Sequence, residues 1–196
     1  MSIDALARAE TAVNGKLRLF SLYVDFAAST HAKWAVSAIT KLAGPGWEFS
    51  AEMWNLDSLN ASEPIRKMIA SDAARADVLV VAASSLDQRE PKLIVWLDSL
   101  ALDPNRSVPG LLVGLFGDEE NRSRELGWMA EQFIYCARQM GRGLVLHWME
   151  SDSTNDSGWL AEEMAEFLTR KRALGSGTFL PAKTAGVACI GNPAGM

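Results

Sequence analysis

The stretch VLVVAA at residues 78–83 is an uninterrupted run of small or branched apolar side chains. A strand with one face in water alternates apolar and polar residues, whereas a parallel strand covered on both faces does not. We therefore predict that residues 78–83 form a central strand of a sheet with helices on both faces. The stretch LLVGLF at residues 111–116 has the same character and predicts a second central strand.

Strand-like and helix-like segments alternate five times around this stretch. The predicted strands are residues 17–24, 47–54, 77–83, 111–116 and 143–149. After each strand, apolar residues recur at the spacing of one helix face. The faces predicted to cover the sheet are Ala35, Ala38, Ile39 and Leu42; Ile65, Met68, Ile69, Ala73 and Ala76; Leu93, Trp96, Leu97 and Leu100; Leu126, Met129, Ala130, Phe133, Ala137 and Met140; and Leu160, Met164, Phe167 and Leu168. Repeated units of this kind predict a three-layer α/β domain with a mostly parallel sheet.

Residues typical of helix ends stand at the expected places. Ser29 or Thr30 is predicted to cap the first helix, Ser62 with Pro64 to begin the second, Pro91 to open the third, and Gly175 to end the fifth. Local and global signals therefore agree on five strand–helix units.

The order of the strands follows from which of them are apolar throughout. Residues 47–54 alternate apolar side chains with Glu and Ser, which is typical of an edge strand, whereas residues 78–83 belong inside the sheet. The doubly wound order 2-1-3-4-5, which is the flavodoxin-like order, satisfies both conditions, and the order 3-2-1-4-5 does not. We predict a flavodoxin-like sheet of five strands in which the fifth strand, residues 143–149, is the other edge.

The two ends of the chain differ from this pattern. Residues 1–15 are predicted to be an N-terminal extension and residues 16–174 the α/β domain. Residues 175–196 are rich in Gly, Ala and Pro and show no periodicity, so we predict a flexible tail there, mobile or docked on a partner.

Composition and charge exclude several classes of partner. There are 19 Lys and Arg residues against 24 Asp and Glu, a net charge of −5, which does not favour nucleic acid. Cys136 and Cys189 are too few for a disulfide framework, which is consistent with a reducing compartment. We expect no secretory leader and no membrane span, and hence a cytoplasmic protein.

A ligand of such a sheet binds where the first and third strands end, because the helices diverge at that switch point. The polar residues predicted there are Asp25, Ser29, Thr30 and His31 in the first loop, and Ser84 and Ser85 in the third. Free N–H groups at a helix start favour an anion, so a phosphate or carboxylate is one possible ligand. The alternative is that the hydroxyls only cap the helix and Asp25 only satisfies N–H groups of its own loop.

Other polar residues carry weaker signals. His147 lies in an apolar strand and is expected to be a hydrogen-bonded structural residue, with acid–base chemistry as the alternative. The acidic run Asp118, Glu119 and Glu120 is expected to be a solvated helix start, with a divalent cation site as the alternative. Trp159 is predicted to be the most exposed of the seven tryptophans.

Known catalytic motifs test several enzyme classes. The sequence contains no GxxxxGK[ST], no GxGxxG after the first strand, no GxSxG and no HExxH. Of the residues that a receiver-type phosphotransfer domain requires, the chain matches only Asp25. These classes are therefore set aside.

Two resemblances point to a family. The segment ASTHA at residues 28–32 resembles the flavin-phosphate loop of flavodoxins, and LFGD at residues 115–118 resembles the end of their fourth strand. The segments WNLD at residues 54–57, DAARADVLVV at residues 72–81 and WL at residues 96–97 resemble a group of bacterial proteins of uncharacterised function. The second resemblance implies a Rossmann-like, flavodoxin-like domain, and the first implies FMN as a cofactor.

Three functions follow as expectations, and the sequence leaves open whether the chain is an enzyme. The first is a non-catalytic regulatory or interaction module that binds a small anionic ligand at the first strand–helix loop. The second is an FMN-dependent reductase or flavodoxin-like electron carrier. The third is a structural subunit that forms a homo-oligomer through its apolar tail, with Phe179, Leu180, Val187 and Ile190 in the contact.

Overall fold

The computed structural model describes residues 15–84, 91–102, 110–117, 122–149, 158–175 and 187–190. Its strands are β1 (Gly15–Tyr23), β2 (Trp47–Asn55), β3 (Val78–Ala83), β4 (Leu111–Gly117), β5 (Gly143–Met149) and β6 (Val187–Ile190). Its helices are α1 (Phe26–Ala43), α2 (Glu63–Arg75), α3 (Pro91–Ala101), α4 (Arg122–Gln139) and α5 (Gly158–Gly175), and a 3₁₀ helix spans Leu56–Asn60.

The strands form one parallel sheet in the order β2-β1-β3-β4-β5-β6. The predicted flavodoxin-like order of the first five strands is confirmed, with β2 at one edge. The prediction that the fifth strand is the other edge is wrong, because β6 pairs with it from Leu144 opposite Val187 to His147 opposite Ile190. Four residues of the segment predicted to be a flexible tail thus belong to the sheet. The two strands pair through backbone N–H and carbonyl groups, and the pattern of apolar side chains carries no information about these groups.

Helices cover the sheet on both faces and enclose two cores. On one face α1 and α5 pack over the side chains of Val78, Val80 and Ala82. On the other face α2, α3 and α4 pack over those of Leu79, Val81 and Ala83. All six side chains of β3 are at most 2% exposed. Burial on both faces is the physical reason for the unbroken apolar run at residues 78–83.

The predicted apolar helix faces are largely confirmed. The predicted residues of α3 and α5 are all buried, as are Ile69 and Ala73 of α2. Met68 is an exception with 45% exposure, because α2 buries only a narrow face, with Ile69 and Ala73 as its buried residues. The side chain of Leu126 lies outside the described residues. No helix in the described ranges is both long and apolar enough to cross a bilayer.

Helix ends follow the prediction at three places. Pro64 lies in the first turn of α2, α3 begins at Pro91, and α5 ends at Gly175. Ser62 occupies the N-cap position of α2 but makes no capping hydrogen bond with its side chain. The prediction for α1 is wrong, and the residue that caps it belongs to the candidate site.

Candidate functional site

The switch point lies between the carboxyl ends of β1 and β3. The two strands leave the sheet side by side, and the N–H of Val24 donates to the carbonyl of Ala82 (3.0 Å) just beyond the paired residues. Asp25 follows directly in the first loop and Ser84 in the third. The parallel arrangement therefore brings together two residues that are 59 positions apart in sequence.

Asp25 connects the two loops through its carboxylate. Its Oδ1 accepts from the N–H of Ala28 (2.9 Å), and its Oδ2 accepts from the hydroxyl (2.5 Å) and the N–H (3.3 Å) of Ser84. Asp25 is thus the N-cap of α1, and the prediction that Ser29 or Thr30 caps this helix is wrong. Asp25 is the last residue before α1, so its carboxylate can accept from the N–H of Ala28, whereas Ser29 and Thr30 already lie inside the helix.

Hydrogen bonds decide the ionisation of Asp25. Partial burial by itself would raise the pKa of the carboxyl, but the Ser84 hydroxyl and the N–H groups of Ala28, Ser84 and Ala27 lower it by a larger amount. The pKa therefore lies below its ordinary value, and a fixed negative charge stands at the start of α1 at neutral pH.

The two hydroxyl residues of the first loop lie inside α1. Ser29 is 6% exposed, and its hydroxyl donates to the carbonyl of Phe26 (2.6 Å) in the same helix. Thr30 is the next residue and is exposed. Ser85 lies outside the described residues. The structure thus brings Asp25 and Ser84 together and gives the Ser29 hydroxyl a partner within the helix.

His31 and Phe26 complete the surroundings of Asp25. His31 is half-buried, and its Nδ1 has no hydrogen-bond partner among the described residues. Burial lowers the pKa of His31, and the charge of Asp25 opposes this shift. The side chain of Phe26 is 86% exposed beside this loop. The sequence analysis did not identify Phe26 as a site residue. Its position directly after Asp25 was the observation that could have placed it in the predicted first loop.

A stack of aromatic rings lies between α1 and α5. The ring of His147 lies parallel to that of Trp159, with 4.2 Å between centroids and 6° between planes. Trp34 of α1 stacks on Trp159 at 5.6 Å. The structural role predicted for His147 accords with this packing, and Trp159 is 8% exposed, so the prediction that it is the most exposed tryptophan is wrong. Right-handed crossovers that put α1 and α5 on one face were the signal that could have predicted this stack.

The chemistry available in the described crevice is hydrogen bonding around a fixed carboxylate. Asp118, Glu119 and Glu120 lie outside the described residues. Within the described ranges, no group of three or more His, Cys, Asp and Glu side chains has a geometry that could hold a metal ion. Cys136 is buried in the core between the sheet and α2, α3 and α4. Burial raises the pKa of its thiol to about 12, and the charge of Asp98 contributes to this rise.

Two solved structures are similar to this chain along most of its length. An oxidoreductase from Corynebacterium diphtheriae is 13% identical, with 83% of this chain and 96% of that chain covered and a TM-score of 0.53. The flavodoxin of Streptococcus pneumoniae TIGR4 is 15% identical, with 79% and 99% covered and a TM-score of 0.48. No family model and no curated protein matches the chain. At 13% identity, the similarity to the oxidoreductase concerns the fold alone, and together with the strand order it shows that this protein has a flavodoxin-like α/β fold.

Proposed function

We propose that this chain is a non-catalytic regulatory or interaction module, with its binding site in the crevice at the carboxyl ends of β1 and β3. The observation that carries the proposal is the Asp25 carboxylate, which holds the start of α1 and the loop after β3 together. Asp25 and Ser84 thus hold each other in position through hydrogen bonds. A partner would therefore bind to a surface that is already formed.

The position of this carboxylate bears on the alternative of an FMN carrier. A phosphate at the start of α1 would need N–H groups of the first turn, and Asp25 already accepts from one of them. A phosphate group also carries a charge of about −1.5 to −2 at neutral pH, which Asp25 would repel. An anionic ligand at Ser29, Thr30 and His31 would have to displace this carboxylate, so we leave it out of the proposal.

The exposed side of the crevice supports a contact surface. Phe26 presents an almost fully exposed ring next to Asp25, and exposed aromatic side chains are enriched where proteins bind partners. His31 adds an imidazole whose pKa is lowered by burial, so its neutral form is favoured. A partner that places an apolar group on Phe26 and a hydrogen-bonding group near His31 fits this surface.

The test is native mass spectrometry with a visible spectrum, on wild type and on Asp25→Gly with FMN or inorganic phosphate added. Glycine is tolerated at an N-cap, so this variant should fold while it removes the charge. Wild type should remain colourless and bind neither anion, and Asp25→Gly should gain weak binding of both. The control Asp57→Asn removes one negative charge from an exposed residue of the 3₁₀ helix and should behave as wild type.

Two outcomes would contradict the proposal. One is FMN bound to wild type, which would indicate a flavin protein. The other is measurable turnover by the purified protein that Asp25→Gly or His31→Ala abolishes. The same spectra report the oligomeric state, and a mass of several chains would favour the structural-subunit alternative.

A further inference from the structure

The outer side of β2 is an open edge of the sheet. β2 pairs with β1 over its full length of 9 residues, and among the described residues no strand pairs with its other side. Alternate residues of β2 therefore direct their N–H and carbonyl groups away from the sheet. An edge of this kind can accept an extended segment of another molecule as an additional strand.

The edge of β2 carries few of the features that block strand addition. Short edge strands, prolines and bulges are common ways of preventing it. β2 contains no proline, and its register with β1 runs without a bulge from Gly15 opposite Trp47 to Tyr23 opposite Asn55. Glu48 and Glu52 are charged residues on this edge, and charge repels only strands of the same sign.

The two faces of β2 differ in chemistry. Glu48 and Glu52 lie on one face of the sheet, and both are exposed. Phe49 and Met53 lie on the other face, where they are half-buried against the core under α1. Ala51 lies between them and is exposed, so this part of the apolar face is open to an incoming side chain. An added strand would therefore meet carboxylates on one face and apolar groups on the other.

The charge of this edge favours a basic partner. Glu48 forms an exposed ion pair with Lys16 of β1 (3.1 Å). Glu52 has Phe20 as its neighbour on β1, and it takes part in no ion pair within the described ranges. The whole chain has a net charge of −5, which attracts cationic partners over a longer distance.

The same charges disfavour a second copy of this chain on the edge. In the antiparallel register that pairs all 9 residues of β2, Glu52 would lie opposite Ser50 of the second copy and diagonal to both acidic residues of that copy. Diagonal neighbours on one face are close enough to interact through long side chains. The four carboxylates of such a pair would therefore repel one another.

We propose that the outer edge of β2 binds an extended protein segment in which basic and apolar residues alternate. The segment adds a strand to the sheet, with its Lys or Arg side chains beside Glu48 and Glu52 and its apolar side chains beside Phe49 and Met53. The alternation fits either strand direction, because side chains of neighbouring strands share the same two faces. The site is independent of the proposed function at the switch point.

The experiment uses three synthetic peptides with blocked ends. The first has the order Thr-Lys-Val-Lys-Val-Thr. The second, Thr-Lys-Lys-Val-Val-Thr, has the same composition and charge without the alternation, and the third, Thr-Glu-Val-Glu-Val-Thr, has the opposite charge. The first peptide should shift the backbone amide resonances of β2 with a Kd of about 1 mM, since a short flexible peptide must be ordered on binding. The other two should bind about tenfold more weakly or not at all.

The variants are Glu52→Lys and the control Glu131→Lys, which changes the net charge equally at an exposed residue of α4. Glu52→Lys should weaken the first peptide about fivefold and strengthen the third, because the charge beside the added strand is reversed. Glu131→Lys should leave both Kd values within about twofold of wild type.

Several results would overturn the proposal. They are no binding of the first peptide at about 10 mM, shifts confined to residues outside β1 and β2, and equal binding of the first and second peptides. Equal effects of the two variants would also overturn it, because net charge alone would then explain the attraction. Concentration-dependent shifts of β2 in the free protein would assign the edge to a second copy instead.

Discussion

At the scale of single residues, Asp25 has the largest consequence for the candidate site. One carboxylate caps α1 and joins the first loop to the third. A serine or threonine cap would leave Ser84 without this partner, and an uncapped helix would leave its N–H groups free for an anion. The identity of residue 25 therefore decides both how the crevice is held and which ligands it disfavours.

The charge of Asp25 should make stability depend on pH. Hydrogen bonds hold its folded-state pKa below the unfolded value, so its stabilisation is present above the unfolded pKa and is lost as pH falls through the folded one. Asp25→Asn keeps a capping side chain and should be about 1 kcal/mol less stable than wild type at pH 7. Urea unfolding should show this difference begin to shrink near about pH 4, the unfolded pKa, and disappear only below the folded-state pKa. Parallel curves for the two proteins from pH 7 to pH 2 would contradict this role.

Gly110 should not tolerate a side chain. The Cβ of Gly110→Ala would meet Nη1 of Arg142 at 2.7 Å and the backbone of Asp77. Backbone cannot move away cheaply, so the free energy of unfolding should fall by about 2 to 3 kcal/mol, measured with urea. Gly143→Ala is the matched control, since its Cβ would meet a flexible Leu111 side chain at 3.2 Å. Equal losses in the two variants would show that this crowding is not the cause.

At the scale of elements, α5 is joined to the sheet by charge as well as by apolar packing. Asp77 precedes β3 and is 5% exposed; its Oδ2 accepts from the N–H of Arg18 (2.8 Å) and its Oδ1 from Nζ of Lys171 (2.5 Å). Nearby, Arg142 is 2% exposed and donates to the carbonyl of Ala76 (2.8 Å), while burial lowers its pKa to about 10 and Asp77 opposes this. The amino ends of the strands thus carry a buried polar network.

A double-mutant cycle on Asp77→Asn and Lys171→Met should measure this connection. Both partners are largely removed from water, so their coupling free energy should be about 1 to 3 kcal/mol. The control cycle uses Lys16 and Glu48, whose side chains are 47% and 63% exposed, and should give less than about 1 kcal/mol. A coupling at Asp77 no larger than this control would mean that apolar packing alone holds α5.

At the scale of the whole molecule, β6 replaces β5 as the edge strand on that side of the sheet. Without β6, the backbone groups of β5 on that side would be unpaired, and β6 has only 4 residues, so the edge that remains is short and less open to pairing with other chains. In the structure β5 has neighbours on both sides, and the sheet has six strands. Part of the segment after α5 therefore belongs to the sheet of the domain.

Removal of residues 176–196 should expose β5. Hydrogen exchange of the alternate β5 amides that point toward β6 should become faster, because they lose their carbonyl partners. Amides of β3, which lies between β1 and β4, should exchange as in wild type and provide the internal control. Unchanged β5 exchange would mean that β6 contributes nothing to the sheet in solution, and equal acceleration in β3 would indicate global destabilisation.

Periodicity and composition predicted much of this molecule because they report burial. The apolar run at residues 78–83 predicted a central strand, the alternation at residues 47–54 predicted an edge, and the strand order followed from both. The buried face of α3 was predicted in full for the same reason, and that of α5 was predicted except for Trp159. The switch-point rule then predicted Asp25 and Ser84 as site residues, and a hydrogen bond joins them in the structure.

The tertiary structure decided what depends on contacts between distant segments. Asp25 caps α1 through Oδ1 and accepts from Ser84, which lies 59 residues later, through Oδ2, and no local pattern reports that second contact. The pairing of β6 with β5 uses backbone groups that every residue except proline possesses, so side-chain patterns carry little information about it. The sequence by itself determined most of the buried faces of the strands and helices, because burial leaves a local pattern of apolar residues. Which polar groups meet was decided only by the folded chain, because those meetings depend on distance in space.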